Sequence, residues 1–225
     1  TLLGTGAALS DAKRENMYFV VEGKNGAILV DCAGSPVQRL LRARVPLNSI
    51  DHAILTHHHP DHLYGLPIFL MDLWLAGRKK VLHLYGLPET IRATHAMLDA
   101  FDWGEWHQHG FLPTEFHTLD IPQHGIGNVL DTADFKITAT RTIHFIPTIA
   151  LKFFSNATGK SLVYSSDTEV CDPVVEIARG VRTLIHEATS ITETTMGHSS
   201  AREAGEQATR AGVKPYSFDP TTPFF

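Results

Sequence analysis

Apolar positions along this chain switch repeatedly between a period of two and a period near 3.6. The runs MYFVVEG and GAILVDCAG flank GKNG, a turn composition, so Met17 to Val30 is predicted to form a hairpin that delivers Asp31 to a strand end. SPVQRLLRARV then carries Val37, Leu40, Leu41 and Val45 at helical spacing, and the short strand HAILT follows. Leu66 to Ala76 is apolar enough for a buried helix, KKVLHLYG has strand character, and PETIRATHAMLDAF starts at a proline as a second helix does. Such alternation belongs to a layered α/β architecture.

The second half changes character. FKITATRTIH alternates over ten residues as one strand ending at His144, and IALKFFSNATGKSLVYSSD is two strands around a hairpin turn. VRTLI is a further strand before His186. Ser200 and Glu203 form a capping-box pattern opening the helix AREAGEQATRAG, which Gly212 closes. No repeat or low-complexity linker intervenes, so residues 1–225 are expected to form one domain containing two similar sheet halves. WGEWHQHGF, Trp103 to Phe111, is expected to be a packed loop or a dimer contact.

The densest chemistry lies in LTHHHPDHLYG. His57, His58, His59, Asp61 and His62 fall within one short loop, and in an extended segment His57, His59 and Asp61 point the same way while His58 points elsewhere. Pro60 keeps a helix from running across them, and a turn near Asp61 can swing His62 back. Imidazole and carboxylate together suit zinc, with manganese and iron also compatible. Further ligand types recur at predicted strand ends: His144, Asp167 after SLVYSS, and His198 in GHSS. Seven such residues are too many for one tetrahedral site.

Composition narrows the alternatives. A chain of 225 residues with 43% hydrophobic content can bury a large core. No run approaches the length of a membrane span and no cleavable signal opens the chain, so a cytoplasmic setting without membrane contact is expected. Cys32 and Cys171 are expected to be reduced thiols. A net charge of −5 supplies no overall cationic field for nucleic acid, which leaves only local patches such as GRKK. RNA is neither demanded nor forbidden.

Taken in order, GTGAA, the aspartate of LVDCAG, HxHxDH at His57 to His62, His144, the SSDT aspartate, HEAT at His186 to Thr189, and GHSS resemble the metallo-β-lactamase-fold hydrolases, and HEAT resembles their ribonuclease Z-like branch. The resemblance covers nearly the whole chain. It implies a four-layer αββα sandwich with two divalent metal ions, zinc above all, at one edge of the paired sheets. One ion would take His57, His59 and His144; the other would take Asp61, His62 and His198, with Asp167 bridging. Asp31 would support the histidine loop from outside the ligand shell. Asp61 counts as a catalytic group as well as a ligand. A hydroxide bridging the two metals would cleave a phosphodiester, and His186 would protonate the leaving oxygen. Glu187, adjacent along a strand, is expected to support the fold rather than join the reaction, unless the strand has already ended there. The family's habit of dimerising implies a homodimer.

Two departures bear on the substrate. Ribonuclease Z-like enzymes carry a long arm for gripping tRNA between the equivalents of His144 and Asp167, and here only a short hairpin stands there. The family's Arg-Asn pair is split by Glu15, in SDAKREN. RNA stays open as a substrate, and a cyclic nucleotide would need no arm. Two other classes use the same residues: a carboxyl-ester, lactone or thioester hydrolase, and a di-iron redox protein or metal-holding scaffold without turnover. The redox class typically has glutamate where His59 stands.

Overall fold

The computed structural model describes residues 1–9 and 12–213. Alternation within single strands decides the layers. In β2 (Tyr18–Glu22), Tyr18 and Val20 pack into one apolar cluster and Phe19 and Val21 into another, and β3 (Ala27–Val30) splits Leu29 from Ile28 and Val30 in the same way. A strand buried on both faces needs a layer on each side.

One sheet runs in the order β1 (Leu2–Gly4), β2, β3, β4 (Ile50–Leu55), β5 (Leu82–Gly86) and β6 (Thr114–Thr118), parallel from β3 to β6. The other runs β11 (Thr183–Ile185), β10 (Ser161–Tyr164), β9 (Ile149–Ser155), β8 (Phe135–Arg141) and β7 (Gly127–Asp131), antiparallel except between β10 and β11. Between them Phe19, Val30 and Ile54 meet Ile137, Leu151, Phe153 and Tyr164. Outside the first sheet, α1 (Pro36–Arg42), α3 (Leu66–Leu75), α4 (Pro88–Asp99) and α5 (Trp103–Gln108) contribute Leu40, Leu70, Leu98 and Trp103 to the other cluster. Outside the second, α6 (Asp172–Ile177) and the end of α7 (Ala201–Arg210) cover Val163 with Val175, Ile177 and Ala211. The result is the expected αββα sandwich.

Most predicted elements form where the pattern put them, including the Met17–Val30 hairpin and the α7 capping box, in which Ser200 and Glu203 reciprocate. Two readings change. β8 ends at Arg141, so His144 lies beyond the strand; the alternation of TRTIH continues after the ladder stops. Trp103–Gln108 is a helix rather than a loop, because Trp103, Trp106 and Trp74 close around Phe111. The terminal SFDPTTPFF lies outside the described residues. Among the described residues, no helix is long and apolar enough to cross a membrane.

Candidate metal centre

The histidine loop leaves the C-terminal end of β4 at Thr56. Pro60 opens a single helical turn, α2 (Pro60–Leu63), occupying the position where a missing N–H costs nothing. That turn brings His62 back beside His57, with ring centroids 4.1 Å apart. Two backbone bonds tie the turn to the end of β3: Cys32 N–H donates to His62 O at 2.8 Å and Gly65 N–H to Cys32 O at 2.9 Å. A Cβ on Gly65 would sit 2.9 Å from the Ala33 and Cys32 carbonyl oxygens, so this approach requires glycine. His58 turns away, toward the charges of Glu89 and Arg92.

Asp31 organises the loop from beneath. It is fully buried in the left-handed region at φ 58°, a conformation aspartate tolerates. Its carboxylate accepts from Thr56 N–H at 2.8 Å, from the Thr56 hydroxyl at 3.0 Å and from His62 Nδ1 at 2.9 Å. Thr56 Oγ1, its own proton given to Asp31, accepts from the Ser166 hydroxyl at 2.9 Å and from His57 Nδ1 at 3.1 Å. His144 Nδ1 donates to Gly197 O at 2.6 Å, and His198 Nδ1 donates to Glu187 Oε1 at 3.0 Å. Carboxylates and carbonyls only accept, so His57, His62, His144 and His198 all carry a proton on Nδ1, which leaves Nε2 of each ring as its metal-binding atom.

Nε2 of His57, His62 and His144 meet around Asp167. His57 Nε2 and His144 Nε2 each lie 3.8 Å from Asp167 Oδ2, and His59 Nδ1 lies 3.0 Å from His144 Nε2. On the other side of the carboxylate, His62 Nε2 is 3.5 Å from Asp167 Oδ1 and 3.6 Å from Asp61 Oδ2. Burial alone would raise the Asp167 carboxyl, but the hydrogen bond and charge of His62, with His57 and His144, hold it far below the usual range. Burial lowers His62, yet the charge of Asp31 and its bonds to Asp167 and Asp31 outweigh this and push it well up. Burial, then the neighbouring His62, keeps His57 well down. His57 Nε2 is buried with no hydrogen-bond partner. An orphaned buried lone pair facing a carboxylate is answered by a cation, and the His/Asp donor set fits a divalent metal.

Asp167 also joins His198 to the Asp61–His62 pair: His198 Nδ1 lies 3.8 Å from Asp167 Oδ2 and 3.0 Å from Glu187 Oε1. Glu187 turns into the site, because β11 ends at Ile185 and strand alternation no longer governs it. It accepts from Thr168 N–H at 2.9 Å and from Thr189, and so joins the SSDT and HEAT loops. The one signal for it in sequence was its place in HEAT. Ser166, Thr56 and Gly197 were also missed; Gly197, at φ 75°, has the Phe145 ring where a Cβ would go, and its carbonyl holds His144.

His186 lines the same cavity of about 280 Å³ as Asp61, His62, Asp167, Glu187 and His198. Its Nδ1 donates to Glu187 O at 2.8 Å and its Nε2 lies 2.9 Å from the amide nitrogen of the fully buried Gln207. Burial lowers its pKa, against the pull of the Glu187 carbonyl and charge, so the ring is neutral at pH 7.

Comparisons place this geometry. The family model described as "Anti-Pycsar protein Apyc1" matches residues 1–206. The ribonuclease Z of Mycobacterium bovis is 31% identical over 229 residues, covering 95% of this chain and 82% of that one. The human short-form tRNase Z structure is similar at TM-score 0.76 and 24% identity, covering 95% of this chain and 88% of that one. A metallo-β-lactamase fold protein from Bacillus subtilis is similar at TM-score 0.74 and 22% identity, with 95% and 81% covered. By the extent of these matches the chain belongs to the Anti-Pycsar protein Apyc1 family, among the ribonuclease Z-like, metal-dependent phosphodiesterases of the metallo-β-lactamase fold.

Proposed function

We propose that this chain hydrolyses small phosphodiesters at a two-metal centre. The observation that carries the reading is Asp167, which offers Oδ2 to His57 and His144 and Oδ1 to His62, the disposition of a carboxylate shared by two ions. His57, His59 and His144 would hold one ion; Asp61, His62 and His198 would hold the other, with zinc favoured by the number of imidazoles. Bound, two such ions neutralise charge developing on a phosphoryl group and acidify water.

The remaining steps belong to the chain's own residues. Asp31, Glu187 and Gly197 O hold the ligand imidazoles in one tautomer and orientation. Asp61 lines the cavity and orients the attacking water by accepting its hydrogen bond. His186 is assigned protonation of the leaving oxygen. In this structure its Nε2 rests on Gln207, so it delivers a proton only when that contact opens and Nε2 becomes protonated.

The substrate is read as a phosphodiester small enough for the cavity, such as a cyclic mononucleotide. β9 and β10 are joined by residues 156–160 alone, and the cavity lies at the small end of ligand sites. Zinc-reconstituted protein assayed on bis-p-nitrophenyl phosphate, cyclic mononucleotides, pre-tRNA, a lactone and a thioester tests this. Turnover of the first two is expected. Faster cleavage of pre-tRNA would overturn the substrate, and faster turnover of the carboxyl esters would overturn the reaction class. The same reading includes a homodimer, supported by exposed Ile68 and Leu75 on α3 and checked by light scattering.

A further inference from the structure

A second group of ligand atoms lies away from the centre described above. On the face of the first sheet that carries Tyr85 toward the second sheet, His83 of β5 pairs across the ladder with Glu115 of β6, and Tyr85 pairs with His117. Glu115 and His117 are two apart on a strand and therefore share that face. His83 is also level with His52, near the start of β4, whereas the ligand loop follows that strand's other end.

Three atoms meet there: His83 Nδ1 and His117 Nε2 are 3.0 Å apart, and Glu115 Oε2 is 3.3 Å from the first and 3.9 Å from the second. The point equidistant from these three atoms lies inside their triangle, about 2.0 Å from each, which matches zinc–nitrogen and zinc–oxygen bond lengths. One proton between the two nitrogens would serve only one of the three contacts. A cation serves all three.

The rings are also held in place before any ion arrives. Tyr85 stacks on His117 at 4.6 Å and 14°, and His52 stacks on His83 at 5.3 Å and 26°. The Tyr85 hydroxyl reaches His52 Nδ1 at 3.3 Å, which links the two stacks. Glu115 is more than half exposed, so a fourth position is open to water.

We propose that His83, Glu115 and His117 form a further divalent transition-metal site, a two-histidine, one-carboxylate set that takes Zn²⁺ and clips the edge strand β6 to β5. Two imidazoles and a carboxylate with an open position are a set that zinc accepts readily.

The test is Zn²⁺ titration of metal-stripped protein, followed by competition with a chromophoric chelator and by elemental analysis. Wild type is expected to take three equivalents, and His83→Ala and His117→Ala two each, with hydrolysis of bis-p-nitrophenyl phosphate unchanged. Glu115→Gln, at an exposed position, keeps the test open if a histidine variant fails to fold. In it the third equivalent should bind at least 10-fold more weakly, the scale on which even outer-sphere partners act. Wild type binding no more zinc than the His83→Ala and His117→Ala variants would overturn the site, whatever the number of ions held at the Asp167 centre.

Discussion

The side-chain amide of Gln207 lies 2.9 Å from His186 Nε2, and its orientation is settled at its other end, where Gln207 Oε1 accepts from Cys171 N–H at 3.2 Å. The amide nitrogen therefore faces the imidazole as a donor, and His186 is held neutral with its proton on Nδ1. A helix in the outermost layer thus sets the protonation state of a side chain in the cavity wall.

If His186 protonates the leaving oxygen, His186→Ala should slow cyclic mononucleotides, with their high-pKa alkoxide leaving groups, by roughly 10²–10⁴-fold. Bis-p-nitrophenyl phosphate needs little such help and should be largely spared. Gln207→Leu should raise the pH at which the slow substrate loses rate, because Nε2 is no longer occupied. Equal losses on both substrates with intact metal content would leave His186 a structural residue.

Asp31→Asn keeps the shape of the loop but removes the anion that fixes His62 and Thr56. Metal affinity is expected to fall by about 10–100-fold, as for other partners that orient ligands. Competition with a chelator measures it. Glu187→Gln should act through His198 in the same direction, and unchanged affinity in both variants would disconnect these carboxylates from metal binding.

Stripping the protein with a chelator should abolish hydrolysis and lower Tm, since the lone pair of His57 Nε2 is then left buried and unanswered. In the His117→Ala background, elemental analysis after zinc reloading should give two ions per chain. One ion or none would refute a centre built on Asp167 as the shared ligand.

Glu15, the residue that splits the Arg-Asn pair, has a structural task. Its carboxylate accepts from the Tyr18 hydroxyl at 2.8 Å and from Ser35 N–H at 3.2 Å, and pairs with Arg39 at 3.1 Å. Burial opposes ionisation, but these bonds and the Arg39 charge win and lower its pKa. A depressed carboxyl stabilises the fold above its unfolded pKa of about 4.3, and that stability is lost as pH falls through the folded value. Glu15→Gln should cost about 1 kcal/mol at pH 7, since the group is partly exposed, and should flatten the acid limb of a denaturation series below pH 4.5. An unchanged acid limb would count against the assignment.

What the sequence by itself determined follows from local rules. Period-two and helical patterns are written residue by residue, so the hairpin from Met17, the helices at Pro36 and Leu66 and the capped α7 were legible, as was the ligand loop, whose members lie within a few residues of each other. Long-range partners were not legible. β6, with the polar sequence TEFHT, became a strand because β5 offered it a ladder, and Trp103–Gln108 became a helix because Phe111 gave its tryptophans something to pack against. Glu187 faces His198 because β11 stops at Ile185, and a strand stops where its neighbour does. His186 looked like a free proton donor until Gln207, 21 residues on, proved to occupy it. His83 and His117 meet through the β5–β6 register, which no spacing along a single strand encodes. Hydrogen bonds and metal geometry depend on distances in space, and only the packed layers set those distances.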